Sequence, residues 1–244
     1  GHLNVDDEYN VSKFETNANA LLEEIFINES IAILVGGSGL YIDAVCKGID
    51  ELPDTPPDLR KSLQEEFKTK GIESLRHKLK LLDPEYYAAV DLKNPNRIIR
   101  ALEVCLTSGQ PYSSFRKNKN NSRPYKIVKI AIETDRSELH EIINSRTDKM
   151  LINGLINEVK ALLPHRNCNA LNTVGYKEII AFLDGDITLE KATEQIKTNT
   201  RRYARRQITW LKRYHDIHWF RLSETEKIIR LIQDTINDLQ KENH

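Results

Sequence analysis

The run Ile31-Ala32-Ile33-Leu34-Val35 is short, unbroken and apolar, and it stops at Gly36-Gly37-Ser38-Gly39. Such a run fits a strand buried on both faces. From Leu40 onward the spacing turns helical, so the segment reads as strand, glycine turn and helix. That is the βα unit of a parallel sheet, in which ligands bind beyond the carboxyl ends of the strands. The expected class is α/β. A second core strand is expected within residues 126–133, on Ile127, Val128, Ile130, Ala131 and Ile132, and a last short one at residues 219–222.

The rest of the chain reads mostly as helix. Phe14, Ala18, Leu21, Leu22 and Ile25 form one stripe over residues 12–26. Pro53, Pro56 and Pro57 mark a change of texture, after which residues 59–67 and 72–82 read as short amphipathic helices. Asp83-Pro84 and Asn94-Pro95 each supply an N-cap followed by proline in the first turn. On the second of these helices Ile98, Leu102, Cys105 and Leu106 form the buried stripe, so Arg97, Arg100 and Glu103 are expected to point elsewhere. Gly109 and Pro111 end it. Residues 118–123 are polar and basic and read as a mobile loop. Asp135 with Glu138 resembles a capping box that opens a long helix. Further helices are expected at 139–151, 155–163, 177–183 and 189–214, and a tail from 224. The layout is a core part at residues 1–52, a helical insertion at 53–122, and a second core part with C-terminal helices at 123–244.

Bulk properties narrow the class. The 244 residues can bury a real core, and Lys plus Arg balance Asp plus Glu at 36 each. No apolar run has membrane-spanning length and no signal peptide opens the chain, so a cytoplasmic protein without a membrane partner is expected. The cysteines Cys46, Cys105 and Cys168 are odd in number and far apart, which argues against a disulfide framework. No Cys or His spacing forms a zinc site; His165 and Cys168 are a lone pair.

Against this neutral background, charge is locally segregated. Lys197, Arg201, Arg202, Arg205, Arg206, Lys212 and Arg213 lie in one expected helix, with no acid from Lys197 to Arg213. Tyr203, Trp210 and Tyr214 are interleaved with them. A polyanion suits such a surface, because phosphates gain Coulomb energy and release counterions there. A solvated helix face with cationic stems covering a core edge is the competing reading. Trp210 is open to two readings, core residue or base-stacking platform. The glycine turn is open as well: backbone N–H groups and a helix N-terminus favour an anion, but a plain βα turn needs the same residues. It is not a Walker loop, since no Gly-Lys-Ser/Thr follows. Arg97 and Arg100 sit three residues apart and suit phosphate or base-edge contacts. Arg146 reads as a salt-bridge residue or as a phosphate contact.

Four segments in series resemble one family. They are Gly36-Gly37-Ser38-Gly39-Leu40-Tyr41 after its apolar run, Asn96-Arg97-Ile98-Ile99-Arg100-Ala101-Leu102-Glu103-Val104, Val174-Gly175-Tyr176-Lys177-Glu178, and Thr200-Arg201 continuing through Ala204-Arg205-Arg206-Gln207-Ile208-Thr209-Trp210. Their order and spacing resemble the tRNA dimethylallyltransferases (tRNA isopentenyltransferases) over nearly the whole chain to about Leu222. The resemblance implies a P-loop-kinase-like parallel-sheet core, a helical insertion that grips the tRNA anticodon stem-loop, and a helical C-terminal region. It implies transfer of a dimethylallyl group from dimethylallyl diphosphate to N6 of adenosine 37, with Mg²⁺; apart from the resemblance, a monomer is expected.

Residue by residue, the resemblance makes Ser38 the reaction-centre hydroxyl, where the family usually has Thr. Gly36, Gly37 and Arg146 become diphosphate contacts. Arg60 matches a tRNA-contacting arginine. Three further segments match tRNA contacts: Asn96, Arg97, Ile98, Ile99 and Arg100; then Asn172, Thr173, Val174, Gly175, Tyr176 and Lys177; then Arg205, Arg206, Gln207, Ile208, Thr209, Trp210, Leu211 and Lys212. Asn172 stands where some members have Arg.

The family's P-loop and its general-base Asp do not occur in these residues. With Gly1 in place of an initiator Met, both are expected upstream, along with the first core strands and the Mg²⁺ ligands. The 244 residues alone are accordingly expected to be inactive. The rival readings are a non-catalytic tRNA-binding module, an adenylate isopentenyltransferase and a nucleotide kinase. A free nucleotide needs neither the helical insertion nor the basic helix.

Overall fold

The computed structural model of the chain describes residues 2–116 and 122–242. In order, the elements are α1 (Val11–Asn28), α2 (Gly39–Lys47), α3 (Pro57–Lys70), α4 (Ile72–Leu82), α5 (Pro84–Ala89), α6 (Pro95–Ser108), α7 (Tyr112–Phe115) and β1 (Lys129–Glu133). They continue with α8 (Arg136–Ile152), α9 (Leu155–Leu162), α10 (Tyr176–Leu183), α11 (Leu189–Leu211), β2 (Ile217–Arg221) and α12 (Thr225–Glu242). The chain divides into two compact units, residues 43–124 and residues 1–42 with 125–244. The boundary falls inside α2, not at the proline-marked break near residue 53.

The unit of residues 43–124 is all helix. Asn94 caps α6 by accepting from the Arg97 N–H at 3.2 Å, Pro95 opens it and Gly109 closes it. Asp83 caps α5 and is fully buried. Its Oδ1 accepts from the Tyr86 N–H at 2.9 Å and from the Ser113 hydroxyl at 2.9 Å, and its Oδ2 accepts from the Ser113 N–H at 2.6 Å. One carboxylate therefore fixes both α5 and α7, which lets it stay buried without an unmet acceptor. The core joins Leu63, Leu75, Leu79, Tyr86, Val90, Ile98, Ile99, Ala101 and Leu102. Each fully buried Leu or Ile there contributes roughly 1.5–3 kcal/mol.

Helix α6 differs from its expected single stripe. Ile98, Ile99, Ala101, Leu102, Glu103, Val104 and Cys105 are all buried, whereas Leu106 is exposed. Of the loop expected at residues 118–123, residues 118–121 lie outside the described residues. Arg123 is held: its Nε and Nη2 donate to the carbonyls of Val45 and Ala44 at 2.8 and 2.9 Å. Those carbonyls belong to the last turn of α2, where a cation meets the negative end of the helix dipole.

In the other unit β1 and β2 form a two-stranded parallel sheet, with Ala131 opposite Trp219. The apolar run at residues 31–35 is not a strand of it. Ile33 and Val35 are 80% and 87% exposed. A fully buried strand needs neighbours on both edges and both faces, and among the described residues this segment pairs with none. Asp135 precedes α8 but makes no side-chain cap; its carboxylate lies 3.8 Å from Arg221 Nη2 instead. The expected capping box is therefore absent. Helices α9, α10 and α11 pack on a core of Leu155, Val159, Ile179, Ala192 and Ile196.

Candidate functional site

The glycine turn and the basic helix meet. Gln207 of α11 donates from Nε2 to the Gly37 carbonyl at 2.8 Å. A Cβ on Gly37 would stand 1.9 Å from that nitrogen, and a Cβ on Gly39 would stand 2.3 Å from Cδ1 of Trp210. None of Gly36, Gly37 and Gly39 has a positive φ. Close approach by α11, not backbone freedom, thus accounts for Gly37 and Gly39. Gly36 has nothing within 4 Å of its missing Cβ. The Ser38 carbonyl accepts from the N–H groups of Tyr41 and Ile42 at 3.0 and 3.1 Å, which starts α2. The Ser38 side chain is exposed at this helix N-terminus.

The cations of α11 divide into two sets. Lys197 Nζ lies 2.8 Å from Asp148 Oδ1, and Arg201 Nη2 donates to Asn144 Oδ1 at 2.8 Å. Both are committed to α8, and Arg201 Nε is buried with no hydrogen-bond partner among the described residues. Arg202 donates to Asn199 at 3.3 Å. Arg205, Arg206 and Lys212 are exposed. The Arg206 guanidinium lies 5.6 Å from the Tyr203 ring centroid, and the Arg213 guanidinium lies 3.7 Å from that of Trp210. Trp210 is half-buried, with one edge on Gly39 and one face under a cation. Of the expected contact segment, then, Arg205, Arg206, Ile208, Thr209 and Lys212 are exposed, whereas Gln207, Trp210 and Leu211 are partly buried.

The segment from Asn172 to Lys177 wraps a left-handed turn at Gly175, whose φ is 103°. The Gly175 N–H donates to Oε2 of Glu178 at 2.7 Å, and Asn199 of α11 donates to Oε1 of the same carboxylate at 2.7 Å. Glu178 is buried, so this one side chain ties the turn to the basic helix. Asn172, Thr173 and Lys177 are exposed, Val174 and Tyr176 are partly buried, and Gly175 is buried. The Tyr176 hydroxyl donates to Glu158; that bond, followed by burial, pushes its pKa up from 10.0.

On α8, Arg146 lines an open groove of about 620 Å³ with Glu141, Ile142, Ser145, Lys149, Met150 and Asn153. No salt bridge engages Arg146 among the described residues, so its expected alternative role as an ion-pair residue finds no partner there.

In the unit of residues 43–124, Asn96 and Arg97 are exposed at the start of α6, Arg100 is partly buried and Arg60 is exposed on α3. Ile98 and Ile99 are buried in the core, so neither side chain is available to an RNA. Resemblance by segment carried them along with their polar neighbours. Glu103, expected to face away from the core, is fully buried and ion-paired with Arg60 and Arg100. Sequence reasoning missed this residue and Glu178. A buried glutamate inside an apolar helix gives no periodic signal, and its partners are set by tertiary packing.

Among the described residues no group of three or more His, Cys, Asp or Glu side chains could hold a metal ion, and no helix is long and apolar enough to cross a membrane.

Comparison with known proteins agrees over nearly the full length. The sequence model of the family described as IPP transferase matches residues 1–214. The chain is 44% identical over 236 residues to tRNA dimethylallyltransferase 1 of Bacteroides fragilis, covering 97% of this chain and 78% of that protein. Among solved structures it resembles the tRNA isopentenylpyrophosphate transferase of Bacillus halodurans at a TM-score of 0.67 and 32% identity, covering 99% of this chain and 79% of that one. A eukaryotic dimethylallyltransferase acting on tRNA shares the fold at a TM-score of 0.79 and 22% identity, over 98% of this chain and 65% of that one.

Proposed function

The chain belongs to the IPP transferase family, and from that premise we propose that it is a tRNA dimethylallyltransferase, moving a dimethylallyl group from its diphosphate to N6 of adenosine 37 in tRNA anticodon loops. The observation that carries the reading is the bond from Gln207 to the Gly37 carbonyl. It puts the helix that bears Arg205 and Arg206, and that Lys212 follows as its C-cap, directly on the turn that bears Ser38.

The chemistry asks for such an arrangement. The exocyclic amine of adenine is a weak nucleophile because its lone pair is delocalised into the ring. Attack needs an oriented base, a carboxylate to take the N6 proton, and stabilisation of the charge that grows on the leaving diphosphate. The base must leave its stack to reach the donor, and RNA loops with splayed bases are the usual targets of such recognition. In this reading Ser38 lies at the reaction centre and can donate a hydrogen bond to the departing oxygen. Gly36 and Gly37 let the diphosphate approach the backbone, and Arg146 offers a further phosphate contact. Arg205, Arg206 and Lys212 hold the RNA backbone, as do Asn172, Thr173 and Lys177. Arg60, Asn96, Arg97 and Arg100 form a separate RNA-facing set on the helical unit.

The finer fold assignment, a P-loop-kinase-like core, rests on the same resemblance. Mg²⁺ is expected for diphosphate departure. Among the described residues no cluster of His, Cys, Asp or Glu could hold it.

Two measurements test the reading. Prenyl transfer to an anticodon stem-loop and to AMP is compared at the full length the gene encodes; the stem-loop is the expected acceptor. Binding of the stem-loop is followed against salt, with a slope of about −0.7 expected per phosphate contacted on single strand. Equal use of AMP, or binding indifferent to salt, removes the proposal.

A further inference from the structure

Arg60 lies on α3 and Arg100 on α6, yet both guanidiniums close on the same carboxylate. Arg60 Nε is 3.4 Å from Glu103 Oε1, and Arg100 Nη1 donates to Glu103 Oε2 at 3.1 Å. Arg100 Nη1 also donates to Thr55 Oγ1 at 3.1 Å. Thr55 stands between Pro53 and the pair Pro56-Pro57, whose rings restrict the backbone that carries it. The Glu103 side chain is fully buried, whereas those of Arg60 and Arg100 are 52% and 37% exposed. Each arginine therefore has its head against a buried acid while part of the side chain meets solvent.

Packing does not explain Glu103. Its neighbours Leu102 and Val104 are fully buried, and an apolar side chain of similar volume generally serves such a position at least as well as a desolvated charge. One of its oxygens, Oε1, even lacks a proper hydrogen bond among the described residues. Attraction of RNA does not explain it either, since a carboxylate beside two arginines weakens the local positive potential. What the acid does supply is orientation. A surface arginine samples many rotamers and loses them on binding; one already held loses fewer.

We infer that Glu103 is a positioning residue for RNA binding. It locks Arg60 and Arg100, with the help of Thr55, into one rigid pair that presents its outward N–H groups to a phosphate of the anticodon stem-loop. The inference rests on the reading that these two arginines meet tRNA. It adds that they act as a unit through an acid that never touches the RNA.

The sign of one substitution separates orientation from simple electrostatics. Glu103→Gln keeps the shape and removes a negative charge. Electrostatics alone predicts tighter binding; loss of orientation predicts weaker binding, on the order of tenfold for the anticodon stem-loop. Affinity for an unrelated RNA hairpin of the same length should hold or rise. Thermal melting of each variant confirms folding. The double variant Arg60→Ala with Glu103→Gln should lose less than the two single losses multiplied together, because the residues act as a unit. Thr55→Val removes one of the two bonds that hold Arg100 Nη1 and leaves the buried acid in place; it should weaken stem-loop binding severalfold, and it decides the matter if Glu103→Gln does not fold. Unchanged or tighter stem-loop binding in folded Glu103→Gln, or unchanged binding in Thr55→Val, overturns the inference. Unchanged binding in both Arg60→Ala and Arg100→Ala would instead remove the underlying assignment of these arginines to tRNA.

Discussion

Gln207 Nε2 donates to the Gly37 carbonyl at 2.8 Å and occupies the space a side chain at Gly37 would need. Two residues on, the Trp210 ring does the same at Gly39. The two contacts differ in how they can yield. Gln207 is a flexible arm with its tip in contact, so Gly37→Ala is relieved by one rotation and loses about 1 kcal/mol of hydrogen bonding. Trp210 is a rigid ring, so Gly39→Ala forces helix or turn to move and costs about 1–3 kcal/mol. Denaturant melts should rank Gly39→Ala well below Gly37→Ala, with partial recovery in Gly39→Ala combined with Trp210→Ala. Equal losses would mean that α11 does not rest on this turn.

The cations of α11 should separate in experiment as they do in space. Arg205→Ala and Lys212→Ala remove exposed charges, so each should lower the salt slope of stem-loop binding by about 0.7 with little change in melting. Lys197→Ala and Arg201→Ala remove partners of Asp148 and Asn144, so they should lower melting. A lowered slope in the second pair, with stability kept, would reverse the assignment.

What the sequence carried and what it hid follow one division. Signals confined to a few adjacent residues were legible. Asn94-Pro95 and Asp83-Pro84 start α6 and α5 where expected, and the apolar runs near residues 130 and 219 became the two strands. Signals that depend on a distant partner were not. The run at residues 31–35 announces an apolar strand but says nothing of what pairs with it. Asp135 and Glu138 have capping-box spacing, yet Arg221, far along the chain, stands beside the Asp135 carboxylate. Glu103 looked solvent-facing because Arg60, on another helix, is what makes its burial tolerable. The candidate site divides in the same way: Arg60 and Arg100 stand out by resemblance, whereas the buried Glu103 between them and the buried Glu178 beneath Gly175 required coordinates.

Gly175 offers a sharp test of the turn that carries Thr173 and Lys177. At φ 103° an L-residue is strained whatever space surrounds it. Gly175→Ala should therefore cost about 1–3 kcal/mol in denaturant melts. Glu178→Gln keeps one carbonyl acceptor but presents an NH₂ group where the carboxylate accepted a second bond from Gly175 or Asn199. It should cost about 1–3 kcal/mol and reduce stem-loop affinity together with stability. Affinity loss in a fully stable Glu178→Gln variant would point to direct contact with RNA.

The acid limb of stability should trace in part to Glu66. On α3, it accepts from Lys78 Nζ and Ser74 Oγ of α4. The bond from Lys78, then that from Ser74, lowers its pKa from 4.5 against an opposing effect of burial. With the folded value depressed, the proton binds the unfolded chain more readily. The stabilisation is complete above the unfolded value near 4.5 and fades as pH falls through the folded value. Glu66→Gln should cost about 1–2 kcal/mol at neutral pH, and the gap to the unmodified chain should close on acidification. Urea melts of both chains between neutral and strongly acidic pH measure that gap. A gap that stays constant through the acid range would show that the Lys78 and Ser74 bonds stabilise α3 against α4 without depending on the charge of Glu66.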